Sequence, residues 1–204
     1  MAQHLYGVFL RPDPLTAVAV TQITGQIKAQ FGLVSAGAFP PHVTLAGSIP
    51  SNDNAQTVIA ALDKFITEFP AFEVHNAGIK RHNVAIVFDV NDNADNSKNV
   101  PMTELALRIN ELLVPLAETT EGYLVKPFDP DKFRAHLSLA SHELQTKTWV
   151  SDEVKEYVEE LPFEPPTSFT ARHISLFEFY SDNWAGHWWE DLTWDHLHTW
   201  KLKG

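Results

Sequence analysis

The chain has 204 residues, of which 44% are hydrophobic and 20% are charged, with no cysteine and a formal net charge of -11. This length suits one domain with a sizeable core, and the lack of cysteine excludes disulfides, thiolate zinc sites and cysteine nucleophiles. The negative charge opposes binding along an extended nucleic-acid duplex, because phosphate contacts need Lys and Arg, so any nucleic-acid substrate should be small or an end.

The first half of the chain alternates predicted strands and helices. Residues 5–10 are apolar and aromatic and stop at a proline, which predicts a strand, and residues 15–31 have apolar positions at helical spacing. A second strand is predicted over residues 42–49 and a second helix over about 55–69. Residues 72–79 and 83–90 then predict a hairpin that turns at residues 80–82, followed by a polar loop over 91–99.

The second half repeats this order. A helix is predicted from Pro101 to about residue 117, a strand over 133–140 and a helix over 151–160 that Ser151 caps. Two more strands are predicted over residues 169–180 and 192–202. This order predicts one bilobal α+β domain, with halves at about 1–95 and 96–204. Two pseudo-symmetric antiparallel sheets would face a central cleft, with helices on the outside.

One short motif occurs once in each half. HVTLA begins at His42 and HLSLA begins at His136, and each lies on a predicted strand. Side chains at i and i+2 of a strand point to the same face, so His42 should emerge with Thr44, and His136 with Ser138. Each strand therefore offers one imidazole and one hydroxyl to a shared cleft.

Two opposed histidines suit in-line displacement at phosphorus, which needs a base for the attacking oxygen and an acid for the leaving oxygen. An ordinary imidazole pKa near 6.5 allows one ring to be neutral and the other protonated, each contributing roughly 10²- to 10⁴-fold to the rate. Thr44 and Ser138 would donate hydrogen bonds to the non-bridging oxygens. Because the two motifs are nearly equivalent, the sequence leaves the acid and base roles interchangeable.

The paired motifs, together with Pro40-Pro41 before His42, resemble the two-histidine (2H) phosphoesterase superfamily, which includes 2'-5' RNA ligase-like proteins and cyclic nucleotide phosphodiesterases. The resemblance implies a bilobal α+β fold, catalysis by His42 and His136, and no metal or other cofactor. The sequence departs from the family pattern at two places, and these differences bear on the substrate. Ala135 stands where the family often has proline, and Ser141-His142 follows the second motif where a basic residue is common.

The resemblance predicts a metal-independent phosphoesterase that hydrolyses a small cyclic phosphodiester to a monoester, with reversible 2'-5' ligation as a related activity. The implied substrates are 2',3'-cyclic nucleotides, RNA ends with a 2',3'-cyclic phosphate and ADP-ribose 1'',2''-cyclic phosphate. The partner is therefore a small nucleotide or an RNA end, and neither a duplex nor a membrane. The short apolar stretch within residues 1–12 falls below the length of a signal peptide or membrane span, so a cytoplasmic location is expected.

Further substrate contacts are predicted around the motifs. Arg134 precedes His136 by two residues and should share its face, while Phe39 and Tyr6 are candidates to stack on a base. Six basic residues are candidates to contact phosphate or ribose: Lys80, Arg81, Lys126, Lys132, Arg134 and Arg172.

Two alternatives remain open from the sequence. The first is a non-catalytic module that binds nucleotides or RNA ends in the same cleft. The second is a metal-dependent hydrolase at the C-terminus, where His196 and His198 would share a strand face as two metal ligands do. Five tryptophans in this region are expected to close a core edge or line a ligand-binding rim: Trp184, Trp188, Trp189, Trp194 and Trp200.

Overall fold

The computed structural model describes residues 4–118, 128–163 and 165–204. These ranges contain four α-helices: α1 (Pro14–Phe31), α2 (Ala55–Glu68), α3 (Val100–Leu113) and α4 (Ser151–Glu160). The first five strands are β1 (His4–Arg11), β2 (Val43–Ser51), β3 (Phe72–His75), β4 (Ile79–His82) and β5 (Ala85–Asp89). The remaining strands are β6 (His136–Ala140), β7 (Ser168–Ala171), β8 (His173–Tyr180) and β9 (Thr193–Lys201).

The strands form two antiparallel sheets of unequal size. Seven strands form one sheet in the order β4-β5-β6-β2-β1-β8-β9, and β3 pairs with β7 in a two-stranded sheet. Within the large sheet β2 and β6 pair at a single position, Val43 with Leu137. The predicted α+β class with antiparallel sheets is confirmed, and the two strands that carry the motifs are neighbours at the centre of the large sheet.

Side-chain caps begin three of the helices, as the sequence chemistry favours. Asp13, Asn54 and Asn99 each accept a hydrogen bond from a backbone N–H in the first turn of α1, α2 and α3. Gly32 ends α1 in the left-handed conformation, with φ of 68°. The predicted cap of α4 is wrong: Val150 occupies the cap position, and the hydroxyl of Ser151 donates instead to the carbonyl oxygen of Val84 at 3.2 Å.

The predicted hairpin over residues 72–90 is wrong in its turn and its pairing. Residues 80–82 belong to β4, and the turn to β5 lies at Asn83, which takes the positive φ (54°) that asparagine tolerates. Gly78, with φ of 84°, separates β3 from β4, so β3 pairs with β7 in the other sheet. The predicted strand over 169–180 is likewise divided, because β7 and β8 lie in different sheets on either side of Arg172.

The main core lies between the helices and one face of the large sheet. Helix α3 packs on β2, α1 on β6 and α2 on β9. Val43 and Leu137 are fully buried in this core, which also contains Leu62 of α2 and Leu105 of α3. A separate apolar cluster of Phe9, Phe39 and Phe177 lies outside the main core. None of the helices in the described ranges is both long and apolar enough to cross a membrane.

Candidate active site

The single pairing of β2 with β6 brings the two motifs side by side. Val43 and Leu137 are partners and both point into the core, so the residues that flank them point to the opposite face. His42, Thr44, His136 and Ser138 accordingly line one cleft of about 340 Å³. The four motif side chains that the sequence predicts to act together are adjacent in the structure.

The two imidazoles are held in the same way. Nδ1 of His42 lies 2.8 Å from the carbonyl oxygen of Pro40, and Nδ1 of His136 lies 2.8 Å from that of Arg134. A carbonyl oxygen only accepts, so each Nδ1 carries a hydrogen and donates. Within the described ranges no hydrogen bond engages Nε2 of either ring. Each Nε2 is therefore a lone-pair acceptor when the ring is neutral and a proton donor when it is charged.

His42 lies in an aromatic environment. Its ring centroid is 4.6 Å from that of Phe9 and 4.8 Å from that of Phe39, both in edge-to-face arrangements. Burial lowers the pKa of His42 to about 4, against the hydrogen bond to Pro40, and the nearby His136 lowers it further. His42 is thus neutral at physiological pH and suited to accept a proton.

His136 has polar and charged neighbours. Its ring centroid lies 5.4 Å from that of His82, and Asp89 is its partner on β5. Burial lowers the pKa of His136; the hydrogen bond to the Arg134 carbonyl opposes this change, His82 adds to it and the charge of Asp89 opposes it. Lys80 holds the Asp89 carboxylate at 2.9 Å. The two motif histidines, equivalent in sequence, therefore differ in environment.

The hydroxyls of Thr44 and Ser138 face the same cleft as the imidazoles. Across the described part of the chain, neither hydroxyl has a protein hydrogen-bond partner. A hydroxyl at the surface of a cleft that is not engaged by the protein can donate to a ligand oxygen. The site therefore combines two proton-transfer groups with two hydrogen-bond donors.

Aromatic side chains form one wall of the cleft: Phe9, Phe39, Phe179, Trp184 and Trp188. The sequence predicts Phe39 and the tryptophans as candidates, but it does not single out Phe9 and Phe179. Strand alternation puts Phe9 on one face, but only the pairing of Phe9 with Thr44 on β2 shows that this face is the cleft face. Gly7 leaves room for these rings, because a Cβ at that position would clash with the Phe9 ring and lie 2.9 Å from the Phe179 ring.

Arg134 lines a second depression, of about 600 Å³, which adjoins the cleft at His136 and Ser138. Its guanidinium donates to the carbonyl oxygens of Asp131 and Phe133, at 2.8 Å and 2.7 Å. The other residues of this depression are mostly polar, and Lys132, His82, His142 and Gln145 are among them. The cleft thus has an aromatic side at His42 and a polar side at His136.

The structure does not bring Tyr6 to the cleft, which corrects that prediction. Tyr6 is 1% exposed, and its hydroxyl donates to the carbonyl oxygen of Asp53 at 3.1 Å. Tyr6 pairs with Glu178 whereas Phe9 pairs with Ser175, so alternation places the two rings on opposite faces of β1.

The predicted pair of metal ligands at the C-terminus is separated by a β-bulge. Phe177 pairs with His196 and Leu176 pairs with His198, so Leu197 is the extra residue and the two histidines point to opposite faces. His196 stacks on Phe177 at 4.9 Å and His198 contacts Trp200 at 4.6 Å. No group of three residues able to hold a metal ion occurs in the described ranges.

Most of the other basic candidates are engaged by carboxylates. Lys80 binds Asp89 at 2.9 Å, Lys132 binds Asp129 at 3.0 Å and Arg81 pairs with Asp152. Lys126 lies outside the described residues. Of the tryptophans, Trp200 is buried and donates to Asp63 at 3.2 Å, and Trp194 packs on Phe39 and Phe177.

Comparisons with known proteins identify a family and a similar fold. The family model of the 2'-5' RNA ligase superfamily matches residues 12–183. The fold is similar to that of TT0787 from Thermus thermophilus, with a TM-score of 0.60, 12% identity and 98% of each chain covered. It is also similar to that of E. coli LigT crystallised with 3'-AMP, with a TM-score of 0.53 and 13% identity over 98% of this chain and 99% of that one. No curated protein is similar enough to count as a relative.

Proposed function

Because the chain belongs to the 2'-5' RNA ligase superfamily, we propose that it is a metal-independent phosphoesterase that hydrolyses a small cyclic phosphodiester to a monoester. Its candidate substrates are 2',3'-cyclic nucleotides, RNA ends with a 2',3'-cyclic phosphate and ADP-ribose 1'',2''-cyclic phosphate. One observation carries the proposal: two imidazoles line one cleft with two hydroxyls, and each imidazole is held through Nδ1 while its Nε2 has no hydrogen bond within the described residues.

The different environments of the two histidines support an assignment of roles. His42, which is neutral, accepts a proton through Nε2 from the attacking water. As the water oxygen bonds to phosphorus, the bond to the departing ribose oxygen breaks, and His136 in its protonated form gives its Nε2 proton to that oxygen. Burial lowers the pKa of His136 overall, and the charge of Asp89 opposes part of this change, which supports the protonated form that this role requires. In 2'-5' ligation a 5'-hydroxyl of RNA would replace water as the nucleophile and the two histidines would keep these roles, which exchange when the 2'-5' linkage is cleaved in the reverse reaction.

Thr44 and Ser138 would stabilise the transition state. Their hydroxyls donate to the non-bridging oxygens of the phosphoryl group, where negative charge increases during displacement. Donors fixed in advance on strands lose little freedom at that step, so each can contribute on the order of 10²-fold. The absence of competing protein partners for these hydroxyls in the described ranges supports this role.

The aromatic wall would bind the nucleobase. Phe39 and Trp188 present aromatic surface to the cleft, and stacking on such a surface is worth roughly 1 to 3 kcal/mol per base. E. coli LigT, whose fold is similar, was crystallised with ATP and with 3'-AMP. Arg134 and the polar depression beside His136 would take the group on the other side of the phosphate.

Turnover of the candidate cyclic phosphates in the presence of EDTA tests the function. We expect activity to persist in EDTA and to fall by roughly 10²-fold or more in His42→Ala and in His136→Ala. His196→Ala is the matched control, because His196 lies on β9 outside the cleft, and should retain activity. Loss of activity in EDTA, or in the control but not in His42→Ala, would favour metal-dependent hydrolysis instead.

Binding without turnover would favour the non-catalytic alternative. The parent protein would then bind nucleotides but turn over none of the candidates, and the double change at His42 and His136 would leave its affinity unchanged. If the parent is active and both single variants are not, the two-histidine mechanism stands.

A further inference from the structure

Basic residues form a row across three neighbouring strands. Arg11 of β1 is the partner of His173 of β8, which is the partner of Lys201 of β9. Directly opposed residues of antiparallel strands lie on the same face, so these three side chains emerge together. Arg172 precedes His173 immediately, and we call these four residues the basic row.

The basic row has no acidic partner in the described part of the chain. Neither Arg11, Arg172 nor Lys201 forms an ion pair there, although the protein carries 26 acidic residues against 15 basic ones. The pKa of His173 is lowered by burial and then by the positive charges of Arg11, Lys201 and Arg172, so these groups lie close enough to repel one another. Like charges in opposed positions destabilise a sheet, and a bound anion would reverse that effect.

A cavity of about 410 Å³ connects the basic row with the candidate active site. Arg11, Arg172 and His173 line it on one side, and Phe39 and His42 line it on the other. The cavity also contains the segment Pro40-Pro41 that positions His42. The carboxylate among its lining residues is that of Asp13, which already accepts the N–H of Thr16 at 3.0 Å as the cap of α1.

Arg11 of the basic row also lies on the cleft face of the sheet, at a defined spacing from the motif. Phe9 pairs with Thr44 of the first motif and lies two residues before Arg11 on β1. Residues i and i+2 of a strand share a face and are about 7 Å apart. A ligand phosphate near Arg11 would thus sit beside the cleft, within the reach of one nucleotide.

We propose that Arg11 and Arg172, which line this cavity, bind a second phosphate group of the same substrate, in addition to the phosphate that reacts between the histidines. The inference rests on the proposed function. It narrows the candidate substrates to those that carry a further phosphate on the His42 side of the reacting phosphate. That phosphate is the 5'-phosphate of a mononucleotide, the pyrophosphate of ADP-ribose 1'',2''-cyclic phosphate or the next phosphodiester of an RNA end, because Arg11 and Arg172 recognise the same chemistry in each.

Equilibrium binding tests the inference without requiring turnover. Three ligands are compared by calorimetry: 3'-AMP, adenosine 3',5'-bisphosphate, and a diadenosine dinucleotide with a terminal 3'-phosphate. We expect at least one of the last two to bind about tenfold more tightly than 3'-AMP at low salt, and the preference to shrink as salt screens the exposed charges. A preference for the bisphosphate alone identifies a 5'-phosphate, and a preference for the dinucleotide identifies an RNA backbone. Equal affinities for all three would overturn the inference.

The double variant Arg11→Gln, Arg172→Gln should abolish this preference. Lys28→Gln, Lys64→Gln is the matched control, because it removes the same charge from exposed positions on α1 and α2. If the control loses the preference equally, overall charge and not the basic row is responsible, and the inference is refuted. A preference that depends on Arg11 and Arg172 in a protein without turnover would refute the proposed function and leave the second phosphate site standing.

Discussion

The pH dependence of activity should reveal the aromatic environment of His42. Burial lowers the pKa of His42 from 6.5 to about 4, which makes its protonation about 3 kcal/mol less favourable than in water. As the base, His42 must be neutral, so kcat/KM should decline on the acid side only near pH 4. The pKa of His136, the acid, is also lowered, so the decline on the alkaline side should begin below pH 6.5.

Exposing His42 to water should shift the acid side of the pH profile of kcat/KM to higher pH. The Phe39 ring is 8% exposed and lies 4.8 Å from the His42 ring, so Phe39→Ala admits water and raises the pKa of His42 towards 6.5. A pKa near 6 would lower the neutral fraction at pH 5 by about tenfold. Phe39→Leu keeps an apolar side chain beside His42 and should leave the acid side of the pH profile unchanged.

The assay is the ratio of kcat/KM at pH 5 to that at pH 7 on a 2',3'-cyclic nucleotide, measured for each protein. The ratio cancels any pH-independent loss of base stacking, because that loss affects both pH values equally. NMR titration of the His42 ring gives its pKa independently of turnover. Equal ratios in the parent and in Phe39→Ala, or a His42 pKa near 6.5 in the parent, would refute the reasoning.

Two substitutions test the supports of the cleft. Gly7→Ala places a Cβ against the Phe9 ring and 2.9 Å from the Phe179 ring, so overpacking should destabilise the protein by about 1 to 3 kcal/mol in urea unfolding and lower kcat/KM. Gly25→Ala is the control, because a Cβ at this position in α1 would meet no atom within 4 Å and should not destabilise the protein. Glu143→Leu leaves the N–H groups of Val34 and Ser35 without an acceptor, because both donate to one oxygen of the buried Glu143 carboxylate, at 2.5 Å and 2.8 Å. A loss of about 1 to 3 kcal/mol is expected in thermal or urea unfolding, and unchanged stability would contradict this role.

Local sequence chemistry accounts for most of the predicted elements. The helix limits follow from capping residues such as Asp13 and Asn99, whose side chains satisfy first-turn N–H groups within a few residues. The errors occur where partners are distant. Ser151 resembles a cap, but its hydroxyl bonds to Val84, which no local pattern reveals. Residues 72–75 read as a hairpin strand, yet their partner is β7, about a hundred residues away.

The faces of β1 and β9 show the same limit at the candidate site. Strand alternation predicts that Tyr6 and Phe9 lie on opposite faces of β1, but only the pairing with β2 and β8 shows which face is the cleft face. In β9 an unpaired residue, Leu197, reverses the alternation between His196 and His198. A bulge depends on how two strands align, so the spacing of the histidines alone predicts a shared face that does not exist.

The sequence by itself determined the chemistry of the candidate site: two imidazoles, each with a hydroxyl two residues later, on strands whose alternate residues are apolar. Strand periodicity is a local property, and these assignments needed nothing else. The tertiary structure decided what depends on distant contacts. The pairing of Val43 with Leu137 brings the two motifs into one cleft. The Phe9 ring lies near His42 and the Asp89 charge lies near His136, so the two histidines differ in pKa although their motifs are equivalent. Burial and charge act through space and not along the chain.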